Sequence, residues 1–145
     1  MSAHTDRAIS RMIRVVNELG AVPRKLAVAA APEITKLMHA QFAEGKDPYG
    51  RPWKPLAKST IARGRRNPPL TATGKLRDGT VAKPMTGGRI GIALRIGAPY
   101  GIFHQGGRGR PPQRLIFPQH VMPATWRRVL TEQARILAQR AREVR

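Results

Sequence analysis

The sequence predicts an α+β fold: N-terminal helices, a long proline-rich loop, a small antiparallel sheet and a C-terminal helix. Two observations carry this reading. Apolar residues recur at spacings of three and four near both ends, and they alternate at period two between Arg89 and Gly97. A third is that all periodicity is lost over residues 45–69, where eight prolines and glycines intervene. At 145 residues the chain allows one domain, 1–145, and with no cysteine its core must hold without disulfides.

Ile9, Met12, Ile13, Val16 and Leu19 form one helical stripe, with Arg7, Arg11 and Arg14 off it. Gly20 and Pro23 end that helix. Leu26, Ala30, Ile34, Leu37, Met38 and Phe42 trace a second, so helices occupy about residues 4–44. Pro32 falls inside the second pattern, and its ring and missing N–H predict a kink or a restart. Residues 45–78 then read as an ordered loop, with one helical turn near Ser59 to Ile61. Tyr49 and Trp53 need something to bury against, so the stretch through Leu56 is expected to pack Trp53 and Leu56 on the core. Its prolines limit the entropy lost on ordering. We term this stretch the bracket.

The sheet is expected over residues 79–118. Ile90, Ile92, Leu94 and Ile96 share one face of its clearest strand, and residues 80–85 pair with it across Thr86-Gly87-Gly88. Residues 100–104 and 115–117 supply a third and a fourth strand. Trp126, Val129, Leu130, Gln133, Ile136, Leu137 and Arg140 trace the last helix, about residues 123–143, with Pro123 in its first turn.

Twenty-seven Lys and Arg oppose eight Asp and Glu, a formal charge of +19, which calls for an anionic partner. The missing cysteines exclude thiol enzymes and cysteine-ligated zinc. Asp78 is the only carboxylate between Pro48 and Thr131, so paired acids or a carboxylate cage for Mg²⁺ cannot be built locally. A nuclease site would need folding to unite Asp47, Asp78 and His104. His104 has no second histidine at ligand spacing, and none of Ser2, Ser10 and Ser59 lies in a Gly-x-Ser-x-Gly elbow. Thr73-Gly74-Lys75-Leu76 matches the end of a phosphate loop but lacks the earlier glycine and the following Ser or Thr, so it reads as a turn before a strand or short helix. No catalytic residue, cofactor or metal is expected.

No apolar run approaches the ~20 residues of a membrane span, and the start lacks the basic-then-apolar order of a signal peptide, so a soluble, unexported chain is expected. Arg63, Arg65 and Arg66 in the loop, and Arg108, Arg110 and Arg114 around the turn at residues 106–112, are exposed candidates for gripping DNA phosphates or an acidic protein surface. The seven aromatics do not interleave with them as a single-strand stacking platform requires.

Four fragments carry a family resemblance. Asp47-Pro48-Tyr49-Gly50-Arg51-Pro52-Trp53-Lys54-Pro55-Leu56 with Thr60 is followed by Leu70-Thr71-Ala72-Thr73-Gly74-Lys75-Leu76. Then come Ile96-Gly97-Ala98-Pro99-Tyr100-Gly101-Ile102-Phe103-His104-Gln105-Gly106-Gly107 and Pro112-Gln113-Arg114. In this order they resemble the phage virion morphogenesis proteins, the tail-completion and neck proteins of Mu-like and related tailed phages. Gly101 stands where that family tends to carry alanine.

The resemblance implies a structural virion protein with no enzymatic activity, joining or capping the tail at the head–tail interface as a homo-oligomeric ring, a hexamer. Its partners would be connector and tail-tube or tail-terminator proteins, with nonspecific contact to packaged DNA and none to membrane, in a virion assembled in the bacterial cytoplasm. Within that role Asp47, Gly50 and Trp53 would fix the bracket, Asp47 by capping a turn, while Thr73 and Gly74 turn the chain into the sheet. Tyr100, His104 and Gln105 would form a polar ladder at a strand end, bonding either within the subunit or to the next. Arg114 would clamp a carboxylate across a subunit boundary. The alternative reading is a small basic nucleic-acid-binding protein.

Overall fold

A computed structural model describes residues 22–65, 67–71, 73–106, 112–119 and 121–144. The helix expected over residues 6–19, together with Arg66, Arg108 and Arg110, lies outside these residues. The elements in order are α1 (Val22–Glu44), α2 (Lys58–Ala62), α3 (Lys75–Gly79), β1 (Val81–Pro84), β2 (Ile92–Arg95), α4 (Gly101–Gly106) and α5 (Ala124–Glu143). The class is α+β.

Helix α1 buries Ala27, Ala30, Ala31, Ile34, Met38 and Phe42, a spacing of three and four that puts them on one face. The helix does not restart at Pro32 but runs through it. Pro32 lies on the exposed side, and Val28, whose carbonyl loses its helical donor, is itself 54% exposed. The helix ends in a Schellman motif. Gly45, at φ 65°, donates its N–H to Phe42 O, and Lys46 donates to Gln41 O. Glycine is doubly required here, because a Cβ would also lie 2.9 Å from the Pro68 side chain.

The sheet is smaller than expected. β1 and β2 pair antiparallel with Val81 opposite Arg95 and Pro84 opposite Ile92. Gly87 and Gly88, both at positive φ, turn the chain between them, and Met85 N–H bonds Gly91 O at 2.9 Å. Ile90 falls in this turn and is exposed, so it leaves the apolar face that Ile92 and Leu94 keep. The third and fourth strands are not formed. Residues 101–106 are helical because the turn at Ala98-Pro99 closes into helix: Gly101 N–H bonds Ala98 O, and Phe103 N–H bonds Tyr100 O. Residues 115–117 run without a strand partner, for a reason given below.

Side chains of α1 hold the sheet. Thr35 Oγ1 accepts the Ala82 N–H at 2.9 Å, and His39 Nε2–H donates to Thr80 O at 2.9 Å. Two apolar clusters result. Ala31, Ile34, Met38, Ala82 and Trp126 fill the space between α1, the sheet and α5. Phe42, Trp53, Leu76, Ala98 and Ile116 fill the other, and Phe117 packs against both. At the first turn of α5, the buried Pro123 is the cap residue rather than a helical one, its carbonyl accepting the Arg127 N–H at 3.0 Å.

Backbone meets backbone between Gly79 and Gly97. A Cβ on Gly97 would lie 2.3 Å from Leu76 O and 2.7 Å from Gly79 Cα, neither of which can swing away. Thr80, fully buried beside them, donates Oγ1–H to Leu76 O and accepts the Gly97 N–H. Gly97→Ala is therefore expected to destabilise the fold by about 2 kcal/mol, the range for overpacking a tight contact, measured by urea unfolding.

Candidate functional site

Asp47 organises the bracket. It is 7% exposed, and its Oδ1 accepts the Tyr49 and Arg51 N–H groups at 2.8 and 2.9 Å while Oδ2 accepts Arg51 Nε–H at 2.8 Å. Gly50, at φ 84°, completes the turn by donating to Asp47 O. The strands of this small hairpin are joined by Asp47 N–H to Arg51 O and by Trp53 N–H to Gly45 O. Pro48 is buried under it, and the Arg51 guanidinium lies 5.2 Å from the Tyr49 ring centre.

The bracket grips a segment distant in sequence. Trp53 is buried edge-on against Phe42, with ring centres 5.4 Å apart, and its Nε1–H donates to Leu115 O at 2.8 Å. The Tyr49 hydroxyl accepts the Gln119 N–H at 2.8 Å and donates to Val121 O at 2.7 Å. From the other side Gln105, near the end of α4, offers Oε1 to the Ile116 and Phe117 N–H groups at 2.7 and 2.8 Å, and its Nε2–H donates to Phe117 O at 3.1 Å. One amide side chain thus does what a neighbouring strand would do, which is why residues 115–117 pair with no strand. The ladder at Gln105 bonds within the subunit.

Arg114 is also turned inward. It is 5% exposed, its N–H bonds His104 O, and its guanidinium donates to Lys54 O at 2.8 Å and Pro55 O at 3.3 Å. A guanidinium so placed ties the bracket to the segment after α4 instead of reaching outward for a carboxylate. Burial lowers its pKa from the ordinary value. Thr73 and Gly74 form a turn into the short helix α3, not directly into the sheet: Thr73 Oγ1 accepts the Lys75 N–H, and Gly74 is left-handed at φ 71°.

Beside Arg114 a groove of about 580 Å³ opens between the loop and α4. Leu56, Leu70 and Tyr100 give it apolar walls, Thr60 and Thr73 line it, and Arg65, Lys75, His104 and Arg114 bring basic groups to it. Leu70 holds φ 67°, a conformation a branched apolar residue seldom adopts. His104 Nδ1 is buried with no hydrogen-bond partner among the described residues. Burial, and secondarily the Arg114 guanidinium, keep this imidazole below its ordinary pKa.

Thr60, Thr73, Tyr100, His104 and Arg114 thus meet at one groove, and Asp47, Pro48, Gly50, Trp53 and Gln105 meet at the bracket. Arg63 lies just past α2 on the surface and Gly106 ends α4, both exposed. Asp47, Asp78 and His104 do not form a metal-binding group; among the described residues no group of three His, Cys, Asp or Glu could hold an ion. Asp78 instead pairs with Arg77 at 2.7 Å, and that hydrogen bond lowers its pKa. The sequence reading missed the exposed apolar residues of α4: Ile102 and Phe103 are 60% and 52% exposed. It also missed Gln41, whose Oε1 faces Trp126 Nε1–H at 3.3 Å. At Gly101 an alanine would force the Ile96 and Leu76 side chains to shift, since a Cβ would lie 2.5 Å from Ile96 Cγ2 and 2.9 Å from Leu76 Cδ1.

Comparison with known proteins finds no family model, no curated protein and no solved structure that matches this chain.

Trp53→Ala is expected to cost about 3 kcal/mol or more, and Gln105→Ala about 2 kcal/mol, because it strands the Ile116 and Phe117 donors; denaturant titration measures both. His104 generates a pH dependence. Folding disfavours its proton, so the unfolded chain binds more protons between the depressed folded value and about 6.5. Stability therefore falls as pH drops through that window, and His104→Gln should flatten that slope in unfolding measurements made across it.

Proposed function

We propose that this protein is a structural virion assembly subunit, forming an oligomeric neck or tail-completion ring at the head–tail interface. The observation that carries the reading is the apolar face of α4. A six-residue helix presents Ile102 and Phe103 to solvent while its own Gly101 and Gln105 are tied to the core. An exposed apolar patch on a rigid mount fits a protein interface. Ring subunits meet head to tail and need two different surfaces, and the α4 face and the groove beside it are two such surfaces. The resembling fragments supply the identity of the assembly. Their polar atoms at Asp47, Gln105 and Arg114 bond to the chain's own backbone, as suits residues that shape a part instead of reacting with a substrate.

The alternative, a small nucleic-acid-binding protein, is favoured by α5, where Arg128, Arg140 and Arg142 are exposed.

Sedimentation and native mass measurement of the purified chain separate the two. Concentration-dependent rings are expected, and Phe103→Asp should weaken association by about tenfold or more while leaving the monomer folded. A persistent monomer whose DNA affinity falls steeply with salt would overturn the proposal in favour of the alternative.

A further inference from the structure

The groove beside Arg114 has a chemistry the bracket does not use. Leu56, Leu70 and Tyr100 form walls that suit an apolar side chain, and Arg65 and Lys75 stand exposed at it with no ion pair among the described residues. The acidic residues among the described ones are engaged elsewhere. Glu33 pairs with Lys36, Glu44 with Lys46, Asp47 with Arg51, Asp78 with Arg77 and Glu132 with Arg135, while Glu143 accepts from Gln139. Those are all the acidic residues among the described ones. None of the described acidic residues therefore complements this groove, which is left cationic.

We infer that the groove is a docking slot for a short acidic peptide segment of a partner protein, one in which a glutamate or aspartate sits next to a large apolar side chain. The carboxylate would meet Arg65 and Lys75, and the apolar neighbour would enter between Leu70 and Tyr100. Geometry favours peptide over nucleic acid. A groove of about 580 Å³ with apolar walls takes a few side chains, whereas a duplex needs a broad plane of cations. The left-handed Leu70 fits the same purpose, because a residue held in a costly conformation at a groove wall is a recurrent feature of ligand clamps. The inference deepens the assembly reading by stating what a neighbouring virion protein presents, and it rests on that reading only for where the partner resides.

The test is calorimetric titration of the full chain with an acetylated, amidated pentapeptide of alternating glutamate and leucine. Its glutamine counterpart and an oligothymidylate of equal charge serve as comparisons. The acidic peptide should bind and the glutamine peptide should not. Arg65→Ala with Lys75→Ala should weaken binding by about tenfold or more, while Arg140→Ala with Arg142→Ala, which removes the same charge at the far end of α5, should leave it unchanged. Equal binding of the glutamine peptide, equal loss in the α5 variant, or no binding at all would overturn the slot. So would oligothymidylate binding that depends on Arg65 and Lys75 where the peptide's does not. Association of copies is read separately: a chain that forms rings yet ignores the peptide contradicts only the slot, and a monomer that binds it contradicts only the assembly reading.

Discussion

Residues 114–117 cross the molecule as irregular chain with no strand paired to them, and side chains from three other places satisfy their backbone. Gln105 serves both faces of the peptide units at Ile116 and Phe117, Trp53 caps Leu115 O, and Gln41 reaches Ile116 O. Ile116 itself is fully buried between Phe42, Trp53, Leu76 and Ala98. Apolar burial there is possible only because the polar backbone that accompanies it has partners, since a buried N–H left alone costs about 1–3 kcal/mol. The bracket, α4 and the second apolar cluster therefore stand or fall together. Their contacts span more than fifty residues of sequence between Trp53 and Leu115, so they also fix the relative positions of the loop and the segment that follows α4.

Elements governed by local periodicity were legible in the sequence: α1 beyond its proline, the β1–β2 hairpin and α5 follow directly from the spacing of apolar residues. The ordering of the bracket was legible too, because Trp53 and Tyr49 in a proline-rich stretch need burial. The third and fourth strands were not legible because alternation of apolar residues over three to five positions does not distinguish a strand from a short helical turn or an irregular segment; the turn at Ala98-Pro99 closed the first into helix, and a glutamine amide acting at a distance took the backbone partners of the second. The restart offered for Pro32 does not occur, and the proline sits on the exposed side of α1. For the candidate site, the residues were visible as fragments, but the inward direction of Arg114 and the outward direction of Ile102 and Phe103 emerge only once α4 is helical.

A rigid mount with one apolar face and one cationic groove has the properties of a coupling part. Exposed acids are balanced by neighbours within a few residues, and the cations without such a partner are spread over the described surface, Arg65 and Lys75 at the groove among them. Exposed pairs of that kind contribute little to stability, so the charge distribution bears on partners more than on the fold.

Rigidity of the bracket in the isolated chain is the property on which everything else turns, and amide hydrogen exchange at Ile116 and Phe117 reads it directly. Both amides should be protected to nearly the level of the α1 core, because Gln105 Oε1 holds them and opening requires Trp53 to leave its pocket. Exchange there at the rate of an unstructured peptide, with α1 still protected, would show that the bracket forms only in contact with something else and would contradict a preformed coupling.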